Sequence, residues 1–166
     1  NYSIIWNATN SFTNMKFYLD GYNVIGKTDH IQLSDPDKID RFIKWLQKHQ
    51  KKGQQLVLIF DGKNEFQRSP TKQRLPGITI IHTSATRSAD DYIKEKILTL
   101  SDKSNKVIVT SDNDILYHAK KAKFKVMGAH EFIIMFTKKE VGEAVKYSPK
   151  ISDRHVDYWL DQFKQD

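Results

Sequence analysis

The chain of 166 residues has the length of one domain and can bury a hydrophobic core that is stable without disulfide bonds or other cross-links. It contains no cysteine, which excludes disulfides and cysteine-based zinc sites, and its six histidines lack close metal-ligand spacing. Its 27 basic side chains outnumber its 20 acidic ones, and the net charge of +7 suits a polyanionic partner such as nucleic acid.

Strand and helix patterns alternate along the chain. Apolar runs bounded by glycine or polar residues predict strands, and apolar residues spaced i, i+3, i+4 and i+7 predict helices. In chain order, the predicted elements are a strand from Lys16 to Asp20, a helix that starts at Ser34-Asp35-Pro36 and ends at Lys51-Lys52-Gly53, a strand at Gln55–Phe60, a strand at Ile78–His82, a helix from Ala89 to about Leu100, a strand at Val107–Thr110, a helix at Asn113–Lys121, a strand at Phe124–Met127, a helical turn at His130–Phe136 and a last helix from Ser152.

This alternation predicts an α/β fold of three layers, α/β/α, with a mostly parallel central sheet. We interpret residues 15–166 as a single domain and residues 1–14 as a polar extension, either loosely packed or disordered. Residues 62–77, between the second and third predicted strands, are expected to form a polar, basic loop.

Carboxylates follow three of the predicted strands. Asp20, Asp61 and Asp112 each end an apolar run, and parallel strands would place all three at the same edge of the sheet, where ligands bind in such folds. Each has an ordinary explanation as a turn residue or helix cap. Together with Asp90 and Asp114, however, they would repel one another unless a cation lies between them.

Oxygen ligands without histidine or cysteine favour magnesium or manganese. We therefore predict that one or two Mg²⁺ or Mn²⁺ ions are held by four aspartates, Asp20, Asp90, Asp112 and Asp114. A metal held in this way in a basic protein suits hydrolysis of phosphodiester bonds. The basic side chains expected to guide the phosphate backbone toward this edge are Lys63, Arg68, Lys72, Arg74 and Arg87.

Four motifs follow one another in a characteristic order, from about Met15 to about Phe136. They are Leu-Asp-Gly-Tyr-Asn-Val-Ile-Gly at Leu19–Gly26, Phe-Asp-Gly at Phe60–Gly62, Ser-Ala-Asp-Asp-Tyr-Ile at Ser88–Ile93 and Val-Thr-Ser-Asp-Asn-Asp at Val109–Asp114. As a set they resemble the NYN domain family, and its bacterial YacP-like branch in particular, which has the PIN-like nuclease fold.

The resemblance implies a metal-dependent ribonuclease with an acidic pocket, and we expect it to cut within RNA chains. A metal-activated water would attack phosphorus in line and leave a 5′-phosphate and a 3′-hydroxyl. The positions that match the family's functional residues are the acidic triad Asp20, Asp90 and Asp112, the fourth acidic position Asp114, the polar residue Asn23, which orients Asp20 or substrate, and the hydroxyl residues Thr110 and Ser111.

Two other functions fit parts of the sequence. A non-catalytic RNA-binding module would explain the basic charge, although it has no need of clustered carboxylates. A phosphatase could use Asp20 as nucleophile, but the chain lacks a second aspartate two residues later. The expected partner is RNA, which a ribonucleoprotein could present. Because no apolar run approaches the ~20 residues that span a bilayer, we expect no membrane contact and a cytoplasmic location.

Overall fold

The computed structural model describes residues 12–137 of the chain. The elements in chain order are β1 (Lys16–Asp20), α1 (Gly21–Ile25), α2 (Lys38–His49), β2 (Gln55–Phe60), β3 (Thr71–Leu75), β4 (Ile78–His82), α3 (Ala89–Thr99), β5 (Lys106–Val109), α4 (Asn113–Lys121), β6 (Lys125–Met127) and α5 (Ala129–Thr137). The sequence-predicted strands and helices within this range are therefore confirmed, with ends that differ by a few residues.

The six strands form one sheet in the order β3-β4-β2-β1-β5-β6. All neighbouring strands are parallel except β3, which pairs antiparallel with β4. In the central pairs, Asp20 lies opposite Ile59, and Leu19 lies opposite Val109. The carboxyl ends of β1, β2 and β5 consequently meet at one edge, as the sequence predicted.

Helices cover both faces of the sheet, which confirms the three-layer α/β/α arrangement. Alternate residues of β1 face opposite layers, since Phe17 and Leu19 pack with α1, α2 and α5, whereas Tyr18 packs with α3 and α4. Phe42 of α2 and Ile93 of α3 are fully buried in the two layers. The central strands are buried on both faces, and their continuous apolar sequences reflect this burial.

The expectation of a loop throughout residues 62–77 is wrong, because this segment contains β3. Four of its five residues are exposed, so it lacks the apolar pattern of a buried strand. The turn between β3 and β4 consists of Pro76 and Gly77, and Gly77 has a φ of +70°. Proline followed by a glycine with positive φ is typical of a tight turn, and this dipeptide was the available signal for a hairpin.

Two sequence-based predictions lie largely outside the described residues. Of the proposed extension at 1–14, only 12–14 are described, and Phe12 packs partly against the core beside Phe17. The helix predicted from Ser152 falls entirely outside them. Between residues 12 and 137, no helix has both the length and the hydropathy needed to cross a bilayer.

Candidate active site

Two glycines shape the sheet edge where β1 and β2 end. A Cβ atom on Gly21 would lie 2.2 Å from the ring of Phe60, so the ring packs directly on the glycine backbone. A Cβ atom on Gly62 would lie 2.8 Å from the carbonyl oxygen of Thr83, where the chain approaches the loop after β4. The glycines that follow Asp20 and Asp61 in the sequence therefore permit close packing immediately beside the two carboxylates.

Asp20 is held at the carboxyl end of β1 by a hydroxyl from the residue that directly follows β5. Its Oδ2 accepts a hydrogen bond of 3.1 Å from Oγ1 of Thr110, and the Asp20 residue is only 8% exposed. The same Oγ1 accepts a bond of 3.1 Å from the backbone N–H of Asp112. Thr110 is fully buried, so its hydroxyl orients Asp20 and the following loop from inside the protein.

Asp112 is the N-cap of α4. Its Oδ1 accepts hydrogen bonds from the backbone N–H groups of Asp114 at 2.8 Å and Ile115 at 3.2 Å. The ordinary explanation for this aspartate is therefore confirmed. The cap uses one oxygen only, and within the described chain Oδ2 of Asp112 accepts no hydrogen bond, which leaves it available to a ligand.

Asp61 connects the end of β2 to α3. Its Oδ1 accepts a hydrogen bond of 2.8 Å from the backbone N–H of Ala89, the first residue of that helix. Ser88 caps the same helix by accepting a bond from the N–H of Asp91 at 3.1 Å. These two contacts fix the first turn of α3 and, with it, the half-buried Asp90.

Four carboxylates, which we call the inner acidic group, influence one another electrostatically: Asp20, Asp61, Asp90 and Asp112. Burial and the charge of Asp90 raise the pKa of the Asp20 carboxyl to about 6, against the opposing effect of the Thr110 hydrogen bond. Burial and the charge of Asp112 likewise raise the pKa of Asp90. Both shifts show that negative charge is costly at this edge.

Asp114 lies in different surroundings, which we call the outer acidic site. Its carboxylate contacts Nζ of Lys94 on α3 and lies 3.3 Å from Nδ1 of His118 one turn along α4. The contact with Lys94 lowers the pKa of Asp114 and raises that of Lys94. The structure thus places Asp90 within electrostatic reach of both Asp20 and Asp112, and it places Asp114 beside a positive charge.

Asn23 and Ser111 connect elements around the inner acidic group. Oδ1 of Asn23 on α1 accepts a hydrogen bond of 2.7 Å from the N–H of Ser111, and Oγ of Ser111 accepts one of 3.2 Å from the N–H of Ala129 on α5. Asn23, Thr110 and Ser111 therefore hold together the elements that surround the inner acidic group. That these three residues also contact substrate stays a prediction from the sequence.

The predicted substrate-guiding cations divide into two sets. Arg87 contacts Glu95 and lies over the ring of Tyr92 at 5.2 Å, so it is held on the surface of α3. The other four cations are exposed and form no ion pair with a carboxylate of residues 12–137. Those in the loop before β3 are Lys63 and Arg68, and those on β3 itself are Lys72 and Arg74.

The inner acidic group offers only oxygen ligands, which suits Mg²⁺ or Mn²⁺. Across residues 12–137, no three His, Cys, Asp or Glu side chains are already placed to hold a metal ion together. Mg²⁺ is commonly bound through one or two carboxylates, waters and substrate phosphates, so a preformed cage of three is not required. The donor chemistry therefore fits these ions.

Sequence reasoning missed Lys94. This lysine contacts Asp114, which is the main cause of its raised pKa, and Asp90 and Asp112 both contribute to raising that pKa. Its position depends on the packing of α3 against α4, which no local pattern specifies. The available signal was the spacing, since Lys94 follows Asp90 by four residues and such pairs share a helix face.

The fold and the inner acidic group together describe a nuclease-type α/β domain. The family model of the YacP-like NYN domain matches residues 17–165, and the chain therefore belongs to the YacP-like NYN domain family. A search of curated proteins finds no match.

Solved structures similar to this chain include two of Rae1 (YacP) from Bacillus subtilis. The crystal structure of Rae1 has 20% sequence identity and a TM-score of 0.55, and covers 72% of each chain. A single-residue mutant of Rae1 has 19% identity and a TM-score of 0.56, and covers 73% of each chain. At this identity the likeness supports the fold, including the mostly parallel sheet.

Proposed function

We propose that this protein is a metal-dependent ribonuclease that hydrolyses phosphodiester bonds within RNA chains. The inner acidic group is the observation that carries the proposal. Burial, together with repulsion from neighbouring carboxylates, raises the pKa of Asp20 and of Asp90, in a protein whose net charge is +7. A bound cation would remove this repulsion, and membership of a nuclease-type family supports RNA as the substrate.

In this proposal, Asp20, Asp90 and Asp112 hold one or two Mg²⁺ or Mn²⁺ ions. When bound, such an ion supplies a water of lowered pKa and stabilises negative charge on the phosphate. The Thr110 hydroxyl keeps Oδ2 of Asp20 oriented, and the helix cap leaves Oδ2 of Asp112 available. The expected products carry a 5′-phosphate and a 3′-hydroxyl.

The exposed cations beside β3 would bind the phosphate backbone of the substrate. Arg68, Lys72 and Arg74 have no carboxylate partner among the described residues, so their charges are available to phosphates. Arg87 would contribute after exchanging Glu95 for a phosphate. Loss of one such contact should weaken binding to all RNA sequences and reduce the salt slope by about one unit.

The proposal is tested by incubating a labelled, structured RNA and the matching DNA with Mg²⁺, with Mn²⁺ and with EDTA. The informative variant is Asp112→Asn, because asparagine caps helices as well as aspartate but removes the charge. The matched control is Asp102→Asn, which removes an exposed carboxylate in the turn before β5, at the opposite edge of the sheet.

We expect RNA cleavage that requires the metal, disappears in Asp112→Asn and persists in Asp102→Asn. Cleavage that continues in EDTA, or that Asp112→Asn leaves unchanged, would contradict the proposal. One observation favours the alternative of an RNA-binding module, namely that no three ligand side chains are preassembled in residues 12–137. Tight binding of RNA that stays intact with every metal would support this alternative.

A further inference from the structure

The loop between β2 and β3 is held in one conformation by Gln67. Nε2 of this side chain donates hydrogen bonds to the carbonyl oxygens of His82 at 3.2 Å and Thr83 at 2.8 Å. Its Oε1 accepts a bond of 2.9 Å from the N–H of Lys63, and its backbone oxygen accepts one of 2.7 Å from the N–H of Ala85. The loop is thereby attached to the chain that leaves β4.

Phe66 projects from this ordered loop into solvent. Its backbone N–H donates to Oδ1 of Asn64 at 3.0 Å, whereas its side chain is 81% exposed. A single exposed apolar side chain is ordinary on a protein surface. Here, however, the backbone beside the ring is held by Gln67. Glu65 directly precedes the ring, and the nearby cations Lys63 and Arg68 form no ion pair with a carboxylate of residues 12–137.

The loop also borders an open cavity of about 590 Å³ that adjoins the inner acidic group. One side of this cavity is formed by Asp61, Gly62, Asn64 and Glu65, and the other by residues 84–88 with Asp91. Hydroxyl and amide groups in the lining suit an uncharged ribose or base. The lining also contains three carboxylates and Arg87, which is paired with Glu95, so phosphates are expected nearer the exposed cations outside the cavity.

We propose that Phe66 is a stacking platform for an unpaired nucleobase of RNA whose strand continues through this cavity to the inner acidic group. The inference rests on the proposed ribonuclease function and names the feature of the substrate that this loop recognises. Aromatic rings beside basic side chains bind single strands because every base has a face that stacks, so the contact selects unpaired over paired RNA.

The test measures RNA binding in EDTA, without cleavage, using the full chain. A short single-stranded RNA carries 2-aminopurine, whose fluorescence is quenched when the base stacks on an aromatic ring. We expect Phe66→Ala to raise the Kd by between about 5-fold and 150-fold and to abolish the quenching. Phe66→Trp should preserve both, whereas Phe66→Leu, which is apolar but not aromatic, should resemble Phe66→Ala.

Leu98→Ala is the matched control, since Leu98 on α3 is also 81% exposed and should leave RNA binding unchanged. A Phe66→Ala variant with wild-type affinity and quenching would overturn this inference alone, provided that the wild type binds RNA. A wild type that neither binds nor cleaves RNA would overturn the proposed function together with the inference. Equal effects of Phe66→Ala on single-stranded and duplex RNA would also contradict stacking.

Discussion

The inner acidic group and the outer acidic site lie close together, yet their carboxylates have opposite electrostatic environments. Asp20 is buried beside Asp90, and its pKa is raised to about 6. Asp114 is exposed beside Lys94, and its pKa is lowered. The difference arises from the partners, because burial and like charge disfavour the ionised form, whereas an ammonium group favours it.

The carboxylates of the inner acidic group would be stabilised by a bound cation, whereas the Asp114 carboxylate already contacts the Lys94 ammonium group. Burial of charge and repulsion within the inner acidic group lower the stability of the folded protein at neutral pH, and a bound metal would offset both. Asp114 obtains its neutralisation from Lys94 and gains less from a metal. The two sites should therefore respond differently to the same substitution of aspartate by asparagine.

The largest effect is expected from Asp20→Asn. Cleavage should fall by more than about 100-fold, since changes to residues that merely support metal ligands already cost about 10- to 100-fold. The free energy of unfolding at pH 8 should rise by about 2 kcal/mol, because the variant has no buried charge to accommodate. RNA cleavage assays and urea unfolding measure the two quantities.

The control for Asp20→Asn is the pH dependence of its increase in the free energy of unfolding. The Asp20 carboxyl has a higher pKa in the folded protein than its ordinary value of 3.8, so its cost to stability develops as pH rises from about 3.8 to about 6. The stability difference between Asp20→Asn and the wild type should disappear near pH 3.5. A difference independent of pH would show that charge is not the cause.

A smaller effect is expected from Thr110→Val. This change removes the donor to Asp20 and the acceptor for the Asp112 N–H in a fully buried position, which should cost about 1–3 kcal/mol of stability. Cleavage should fall by about 10- to 100-fold as Asp20 loses its orientation. Thr110→Ser keeps the hydroxyl, and equal losses in both variants would exclude the hydrogen bonds as the cause.

The electrostatic coupling within the inner acidic group is tested by Asp90→Asn. In the metal-free protein, NMR titration of the Asp20 side chain should give a pKa near 6, and the Asp90→Asn variant should lower it. Cleavage by the wild type should decline as pH falls through this range, because protonated Asp20 is a poor metal ligand. An unchanged Asp20 pKa in Asp90→Asn would contradict the coupling.

The smallest effect is expected from Asp114→Asn. The exposed contact with Lys94 should contribute little to stability, and cleavage should fall far less than in Asp20→Asn. The same two assays provide the comparison. A loss of cleavage as large as that of Asp20→Asn would instead support the sequence-based prediction that Asp114 is a fourth metal ligand.

The sequence was most informative where local pattern determines position. The buried strand β2 was predicted with its observed ends because both of its faces are apolar, and Asp20 and Asp112 were predicted at one edge because parallel strands end together. The strand β3 was missed because its outward side chains carry no apolar pattern. Lys94 was missed because the packing of two helices determines which carboxylate it contacts.

In the sheet formed by residues 12–137, β3 is an edge strand, which affects the behaviour of the protein at high concentration. Unpaired backbone groups on an edge strand can recruit a strand from another molecule and start aggregation. Lys72 and Arg74 alternate with uncharged residues along β3, and their like charges oppose such pairing between copies of this chain. A surface suited to a polyanion is therefore also one that keeps copies of this protein apart.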